Sequence, residues 1–325
     1  MDRDGLLVGV DVGGTKILAA AVPPDDLVDG RPPVPVRTRE IPTPTAIEEF
    51  DEALTAVVAD ATGDAELGAV GIGIPGFIDL RGIARQAPNA PAVIGADLAS
   101  IIRRRFGVPC LVDNDANCAG RAAARWDAPD ARVVVAVTLG TGIGGGVVVD
   151  RHVMRGANGF ATEPGHMIVD RDGELCPCGQ RGCWEVLASG NGLGRLGRIA
   201  AGEGRAAGLL EAAGGSLDLI DGHLVARMAE AGDATATEIF DDYAGWIAVG
   251  IVNLVNLVDP DVVVLGGGVV REGKALTDRV QAALDGYPTI TRGRRTPVVA
   301  SGMEHMAGAL GAVLLAEAAA GWGVV

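Results

Sequence analysis

Aromatic residues are scarce in this chain, at 3% of its 325 positions, and lysine is scarcer still, with Lys16 and Lys274 the only two. Arginine supplies the remaining positive charge but is outnumbered by acids, leaving a formal net charge of −15. Phosphate neutralisation needs a basic surface, so this balance excludes nucleic-acid binding by bulk electrostatics. A composition that is 48% hydrophobic and rich in Ala, Val and Gly reads as a soluble α/β protein, long enough for one large or two medium domains.

Long apolar runs are lacking too. The opening "MDRDGLLVGVDVGG" has too short an apolar stretch and too many acids for a secretory signal. "YAGWIAVGIVNLVNLV" (243–258) is broken by Asn253 and Asn256, and "MAGALGAVLLAEAAAGWGVV" (306–325) by Glu317. Both are expected to be buried helices, not membrane spans, and the protein is expected to be cytoplasmic with no membrane partner. Cysteine is sparse at five residues, yet three fall between positions 176 and 183. In a cytosolic protein such a cluster is more often metal-binding or catalytic than a disulfide. Cys110 and Cys118 sit in apolar surroundings and read as small buried residues.

In "LLVGVDVGGTKILAAAVPP" two apolar runs flank a glycine break. Only "ILAAAV" separates Lys16 from Pro23, which suits a second strand and not the helix a dinucleotide or P-loop fingerprint requires. The element is therefore expected to be a β-hairpin whose turn carries Gly13, Gly14 and Thr15. "VVVAVTLGTGIGGGVVVD" (133–150) repeats the arrangement, with Thr138, Gly140, Thr141 and Gly142 in its turn, and "VVVLGGGVV" (262–270) ends a third apolar run on Gly266, Gly267 and Gly268. A helix-like "REGKALTDRVQAAL" follows it. Backbone N–H groups beside glycine can approach an anion closely, and threonine hydroxyls add donors. One such turn is usually a plain hairpin; two with the same chemistry favour phosphate cradles.

"AVGIGIPGFID" (69–79) reads as a buried strand entering a Pro-Gly turn. "RPPVPVRTREIPTP" (31–44) reads as a surface connection, and 201–233 as a solvent-facing helical insert. In "VPCLVDNDANCAGRAAARW" (108–126) a strand ends in a polar cluster that caps an Ala-rich helix reaching about Trp126. An Asp here could accept a proton from a substrate hydroxyl, or the cluster could be no more than a helix cap. "TEPGHM" places Glu163 and His166 around another Pro-Gly turn. Cys176, Cys178 and Cys183, with His166 ten residues upstream, form a Cys3His set suited to tetrahedral zinc. Four protein ligands leave no position for a catalytic water, so such a zinc would be structural. Redox pairing of Cys176 with Cys178 is the alternative.

Together these segments resemble the ROK family of bacterial sugar kinases and repressors over nearly the whole chain. "DVGGTK" resembles the family's first phosphate loop, "LGTGIGGG" its second and "LGGG" its adenosine-site strand end. "VDNDAN" resembles its catalytic-base motif, "EPGH" its sugar and metal motif, and "CPCGQRGCWE" its zinc signature. Pro164 departs from the residues common at that position in the family. The stretch "ELCPCGQRGCWEVLASG" is most similar to the family's bacterial glucokinase branch.

The resemblance implies an α/β fold of the two-lobed actin/hexokinase/Hsp70-like ATPase type, with ribonuclease H-like lobes and a cleft between them. Residues 1–117 with 305–325 would form one lobe, the C-terminal helix crossing back to it, and 118–304 the other, with the zinc loop. It implies phosphorylation of glucose at its 6-hydroxyl by ATP with Mg²⁺. Mannose, fructose, allose, N-acetylmannosamine and N-acetylglucosamine are alternative acceptors, and polyphosphate an alternative donor. Asp115 would be the general base. Gly76, Asn89, Asn114, Glu163, His166 and Glu185 would bind the sugar, His166 also ligating zinc. Asp11 would hold Mg²⁺ through water, the loops around 13–16 and 138–145 the phosphates, and Gly266–Gly268 the nucleoside. A homodimer or homotetramer is expected. A repressor of the same family is disfavoured, because such proteins carry a DNA-binding domain ahead of the first phosphate loop, which here begins at Asp11.

Overall fold

The computed structural model describes residues 5–27, 30–88, 90–269, 274–288 and 294–323. In chain order its strands and helices begin with β1 (Leu6–Val12), β2 (Lys16–Val22), β3 (Arg37–Pro42), α1 (Ile47–Thr62), β4 (Leu67–Ile74), β5 (Phe77–Ile78) and β6 (Ala84–Gln86). There follow α2 (Leu98–Phe106), β7 (Cys110–Asn114), α3 (Asp115–Ala122), β8 (Val133–Leu139), β9 (Ile143–Val149) and β10 (His152–Val153). The remainder is α4 (Trp184–Ala188), α5 (Gly190–Gly202), α6 (Ala207–Ala212), α7 (Gly222–Glu230), α8 (Ala234–Val258), β11 (Val262–Gly266), α9 (Lys274–Asp285), β12 (Val298–Ala300) and α10 (Ala307–Ala319).

The chain divides into two compact units, the first comprising 1–136, 146–162 and 305–325 and the second 137–145 and 163–304. In the first unit a sheet runs β3-β2-β1-β4-β7. β1, β2 and β3 pair antiparallel, and β1 with β4 and β4 with β7 pair parallel. Parallel neighbours need helical crossovers, and α1 and α2 supply them. Alternation along the strands then assigns the two faces. Val8, Val10 and Val12 of β1 and Val70, Ile72 and Ile74 of β4 are buried with Phe50, Leu54 and Val57 of α1 and Leu98 and Ile102 of α2. The intervening positions include Gly9 and Gly71, which face each other in register on adjacent strands. A β-carbon on Gly9 would meet the backbone of Ala309 and Val313, and one on Gly71 that of Ala312 and Ala316. The two glycines thus let α10 lie backbone-close on the sheet, where its Ala/Gly-rich sequence fits. Gly311 of α10 makes the same close approach to Cys118 of α3. This packing of α3 on α10 brings 118–136 and 146–162 into the first unit alongside 1–117 and 305–325.

The second five-stranded sheet runs β10-β9-β8-β11-β12. Within the second unit, α5, α7 and α8 pack together, and α8 caps at Asp259 in the left-handed region. Both glycine-interrupted segments are strand–turn–strand, as their sequences predict: β1 pairs antiparallel with β2, and β8 and β9 are sheet neighbours. Helix α3 begins at Asp115 and continues through a π-helical turn, Ala123–Asp127, so it reaches the expected Trp126. Segments 243–258 and 307–319 are helices with buried faces. Among the described residues no helix is long and apolar enough to cross a membrane.

Two expectations need correction. Residues 31–44 are not all connection: Arg37–Pro42 form edge strand β3, exposed along nearly its whole length. Charged residues on an exposed edge protect it from further pairing, and they also erase the apolar alternation that would have announced a strand. Residues 201–233 are not simply solvent-facing, because Leu209, Ile220 and Val225 are buried, and the side chains of all three converge on Gly197 of α5. The expected helix at 271–284 is described over Lys274–Asp285, and 270–273 lie outside the described residues.

Candidate active site

The first unit gathers one set of candidate residues at the C-terminal edge of its parallel strands, where ligands bind in open α/β sheets. Register places Asp11 of β1 opposite Gly73 of β4, and Ile74 of β4 opposite Asn114 of β7. Asp11, Gly76, Asn114 and Asp115 therefore emerge from three adjacent strands. Gly76 has φ of 107°, and a β-carbon there would strike the Gln86 carbonyl, so the turn requires glycine. Its carbonyl accepts a hydrogen bond from Asn114 Nδ2 at 3.1 Å. Asn114 also caps α3, its Oδ1 accepting from the Asn117 N–H at 3.0 Å. Asn89 lies outside the described residues.

Asp115 is the first residue of α3, and its Oδ1 accepts from the Ala116 N–H at 2.8 Å. Burial raises its pKa above the ordinary carboxylate range, opposed by backbone N–H donors. Asp11 is pushed up to about 7, first by burial and then by the charge of Asp115, with Lys16 acting in the other direction. Two mutually repelling carboxylates form a donor set that suits a hard divalent cation, which prefers oxygen ligands. Gly308, at the start of α10, leaves room for the Asp11 carboxylate, which a side chain there would displace.

The turn after β1 is open to solvent at Gly14, Thr15 and Lys16. Gly13 N–H donates to the Lys16 carbonyl at 2.8 Å, and the Thr43 hydroxyl donates to the Gly13 carbonyl at 2.7 Å. Lys16 pairs with Glu40 of β3 at 2.6 Å, a contact nothing in the local sequence announces.

In the second unit the β8–β9 turn holds Gly140, Thr141 and Gly142 just after Thr138. Gly140 N–H donates to the Gly142 carbonyl at 3.0 Å, and the Gly190 N–H donates to the Gly140 carbonyl at 2.8 Å. Gly267, between Gly266 and Gly268, has φ of 94° and packs against the backbone of Leu139. The two glycine-rich segments of this unit are thus neighbours.

Glu163 precedes a short 3-10 turn, Pro164–His166. The side chains of His166, Cys176, Cys178 and Cys183 converge, with one ligand atom from each lying within 4.8 Å of all the others. Cys178 Sγ and Cys183 Sγ are 3.6 Å apart, and His166 Nδ1 is 4.0 Å from Cys176 Sγ. Two sulfurs each about 2.3 Å from a common zinc at the tetrahedral angle would lie about 3.8 Å apart, so the donor set fits that ion. None of the five cysteines, all of which are described, is in a disulfide.

The loop is shaped around the four ligands. Cys176 N–H donates to the Gln180 carbonyl at 2.7 Å and Gly182 N–H to the Glu174 carbonyl at 2.8 Å, while Ile168 bridges Cys183. Glu185 closes the arrangement: its Oε1 is 3.1 Å from Cys176 Sγ and 3.6 Å from His166 Nδ1, and its Oε2 accepts from the Ile143 N–H at 3.4 Å. Glu185 therefore joins the thiol cluster to the start of β9, directly after the glycine turn.

Trp184 is the part sequence reading left without a role. It is fully buried, its indole N–H donates to the Trp246 carbonyl at 2.7 Å, and its ring lies on Gly250 of α8. This contact anchors the short α4, and hence Glu185, to the longest helix of the unit. The missing signal is a long-range one: of the two glycines in α8, a side chain at Gly245 would meet open space, whereas one at Gly250 would strike the Trp184 ring.

The ROK family model matches residues 7–319 of the chain. A glucokinase of Streptomyces coelicolor is 34% identical over 320 residues, covering 96% of this chain and 98% of that protein. An N-acetylmannosamine kinase of Citrobacter koseri is 32% identical, covering 95% of this chain and 98% of that protein. Among solved structures, a ROK family glucokinase from Streptomyces griseus in complex with glucose and AMPPNP superposes with a TM-score of 0.82 at 37% identity, covering 97% of this chain and all of that one.

Proposed function

Because the chain belongs to the ROK family and has its actin/hexokinase-like ATPase fold, we propose that it transfers the γ-phosphoryl group of ATP to the 6-hydroxyl of a hexose, with glucose as the preferred acceptor. The observation that carries this reading is the strand-edge cluster of Asp11, Gly76, Asn114 and Asp115. The similarity to glucokinases, which cover 96–97% of this chain, supports glucose as the acceptor, beside an N-acetylmannosamine kinase of nearly equal identity.

Asp115 takes the proton of the 6-hydroxyl, and the oxygen then attacks the γ-phosphorus. Asn114, held by Gly76 and capping α3, orients the sugar with Gly76 and Asn89, and Glu163, His166 and Glu185 bind its other hydroxyls. Gly13, Gly14, Thr15 and Lys16 and the segment Thr138, Gly140, Thr141 and Gly142 contact the phosphates through backbone N–H and hydroxyl donors. Gly266, Gly267 and Gly268 lie along the nucleoside. Phosphoryl transfer asks mainly for positioning and charge stabilisation, which backbone donors supply. Asp11 would hold Mg²⁺, which neutralises phosphate charge when bound. His166, with Nδ1 turned to the thiols, keeps Nε2 for the sugar, and His166, Cys176, Cys178 and Cys183 would hold a zinc ion that, when bound, cross-links the loop.

A coupled ADP-release assay across hexoses, with ATP and with polyphosphate as donors, tests the assignment. Glucose with ATP is expected to give the highest kcat/KM. A higher value on N-acetylmannosamine or N-acetylglucosamine would replace glucose as the acceptor.

A further inference from the structure

The candidate base sits on a buried polar network that the mechanism does not use. Asp113, 1% exposed, accepts at Oδ1 from the Asn114 N–H (2.9 Å) and from Asn117 Nδ2 (3.1 Å), and at Oδ2 from Arg121 (3.1 Å). Arg155 Nε faces the same carboxylate at 3.4 Å. Asn117 is equally buried. Its amide group must donate toward the acceptor-only carboxylate, which leaves Oδ1 to accept. That oxygen accepts from the Thr162 hydroxyl at 3.2 Å, which shares its proton with the Ala161 carbonyl at 2.6 Å.

Thr162 has φ of 67°. The other described non-glycine residues with positive φ have ordinary settings. Asp150 and Arg151 form the two-residue turn between β9 and β10, and Asp259 caps α8. Thr162 alone among them is β-branched, a side chain for which the left-handed region is a true outlier, maintained only where the surroundings over-determine it. The segment leading to it is braced throughout. Arg155 donates to the Asp79 carbonyl at 3.3 Å, Gly159 packs on the backbone of Ile78 and Asp79, and the rings of Phe77 and Phe160 meet edge-on at 5.7 Å. Thr162 is the last residue of the first unit, and Glu163 is the next.

We infer that Thr162 is a positioning residue for sugar binding. Its hydroxyl, held by Asn117, fixes the left-handed backbone from which Glu163 leaves, and Asn117 ties that point to the cap of the helix that begins with Asp115. The inference rests on the hexose-kinase reading above.

Three variants test it in steady-state kinetics with glucose and ATP. Thr162→Val removes the hydroxyl. It should raise the glucose KM about tenfold, equivalent to about 1.4 kcal/mol, with the ATP KM unchanged. Thr162→Ser keeps the hydroxyl and should behave as wild type. Thr162→Gly accepts the positive φ without the hydroxyl, should fold even where valine does not, and should show the same glucose defect. A glycine variant with wild-type glucose KM, or a parallel rise in both KM values, overturns the inference. A wild-type protein that phosphorylates no hexose overturns the proposed function itself, a result visible before any variant is compared.

Discussion

Replacing Asp115 with asparagine is expected to cut phosphorylation by orders of magnitude while leaving glucose binding measurable by calorimetry. Asparagine keeps an oxygen to accept the Ala116 N–H that Asp115 Oδ1 accepts now, so the turn into α3 survives. What it loses is the capacity to take the hydroxyl proton. A positioned general base contributes about 10²–10⁴-fold, and kcat should fall by about that factor. The same variant has a signature in stability. Asp11 is raised to about 7, by burial first and by Asp115 second. A folded-state carboxyl pKa above its unfolded value of 3.8 adds stability below that value, and this is lost as pH rises through about 7. Removing the Asp115 charge lowers the Asp11 pKa, so without divalent cations Asp115→Asn should melt at or above the wild-type temperature at pH 8. An inactive variant that melts lower, and no longer binds glucose, would mean Asp115 is structural. Turnover near wild type would refute the base assignment directly.

The second large effect belongs to the thiol cluster. Cys178→Ser is expected to yield protein without zinc by elemental analysis and with a raised glucose KM, since disturbing even the outer-shell support of a metal site costs about 10–100-fold in metal affinity or activity. The physical route runs through Glu185 and His166. Both are within 4.0 Å of the thiols, and the Cys176–Cys183 loop is otherwise held by backbone bonds, from Cys176 N–H to the Gln180 carbonyl and, through Gly182, to Val169, Asp170 and Glu174. Without the metal cross-link, burial drives the Cys176 thiol toward its neutral form, and the imidazole loses the bond that would supplement its 3.6 Å approach to Glu185 Oε1. The Trp184 anchor should preserve α4, so the defect should fall on sugar affinity more than on global folding. Metal-free native protein with full activity would contradict this assignment.

The fold was readable where local pattern and tertiary role coincide. The glycine breaks at 13–14 and 140–142 interrupt apolar runs too short for helices, and hairpin-like pairs of strands follow. The Cys3His spacing anticipates a convergence that the structure contains. Other features have no periodic signature. The β3 edge is charged along its length, and the buried faces of α6 and α7 depend on the groove at Gly197. The Asp113–Asn117–Thr162 network joins residues 45 or more positions apart, and the backbone outlier at Thr162 is invisible in the letter T. The glycines at 9 and 71 are the seats of α10, a helix more than two hundred residues away, and no local pattern announces that partner.

Phosphorus-31 NMR of a reaction containing the wild-type chain, Mg²⁺, ATP and glucose tests the central claim most directly. The γ-phosphate signal is expected to be replaced by one of glucose 6-phosphate, in step with ADP. ATP converted to ADP and inorganic phosphate, or ATP left intact beside unmodified glucose, would contradict it.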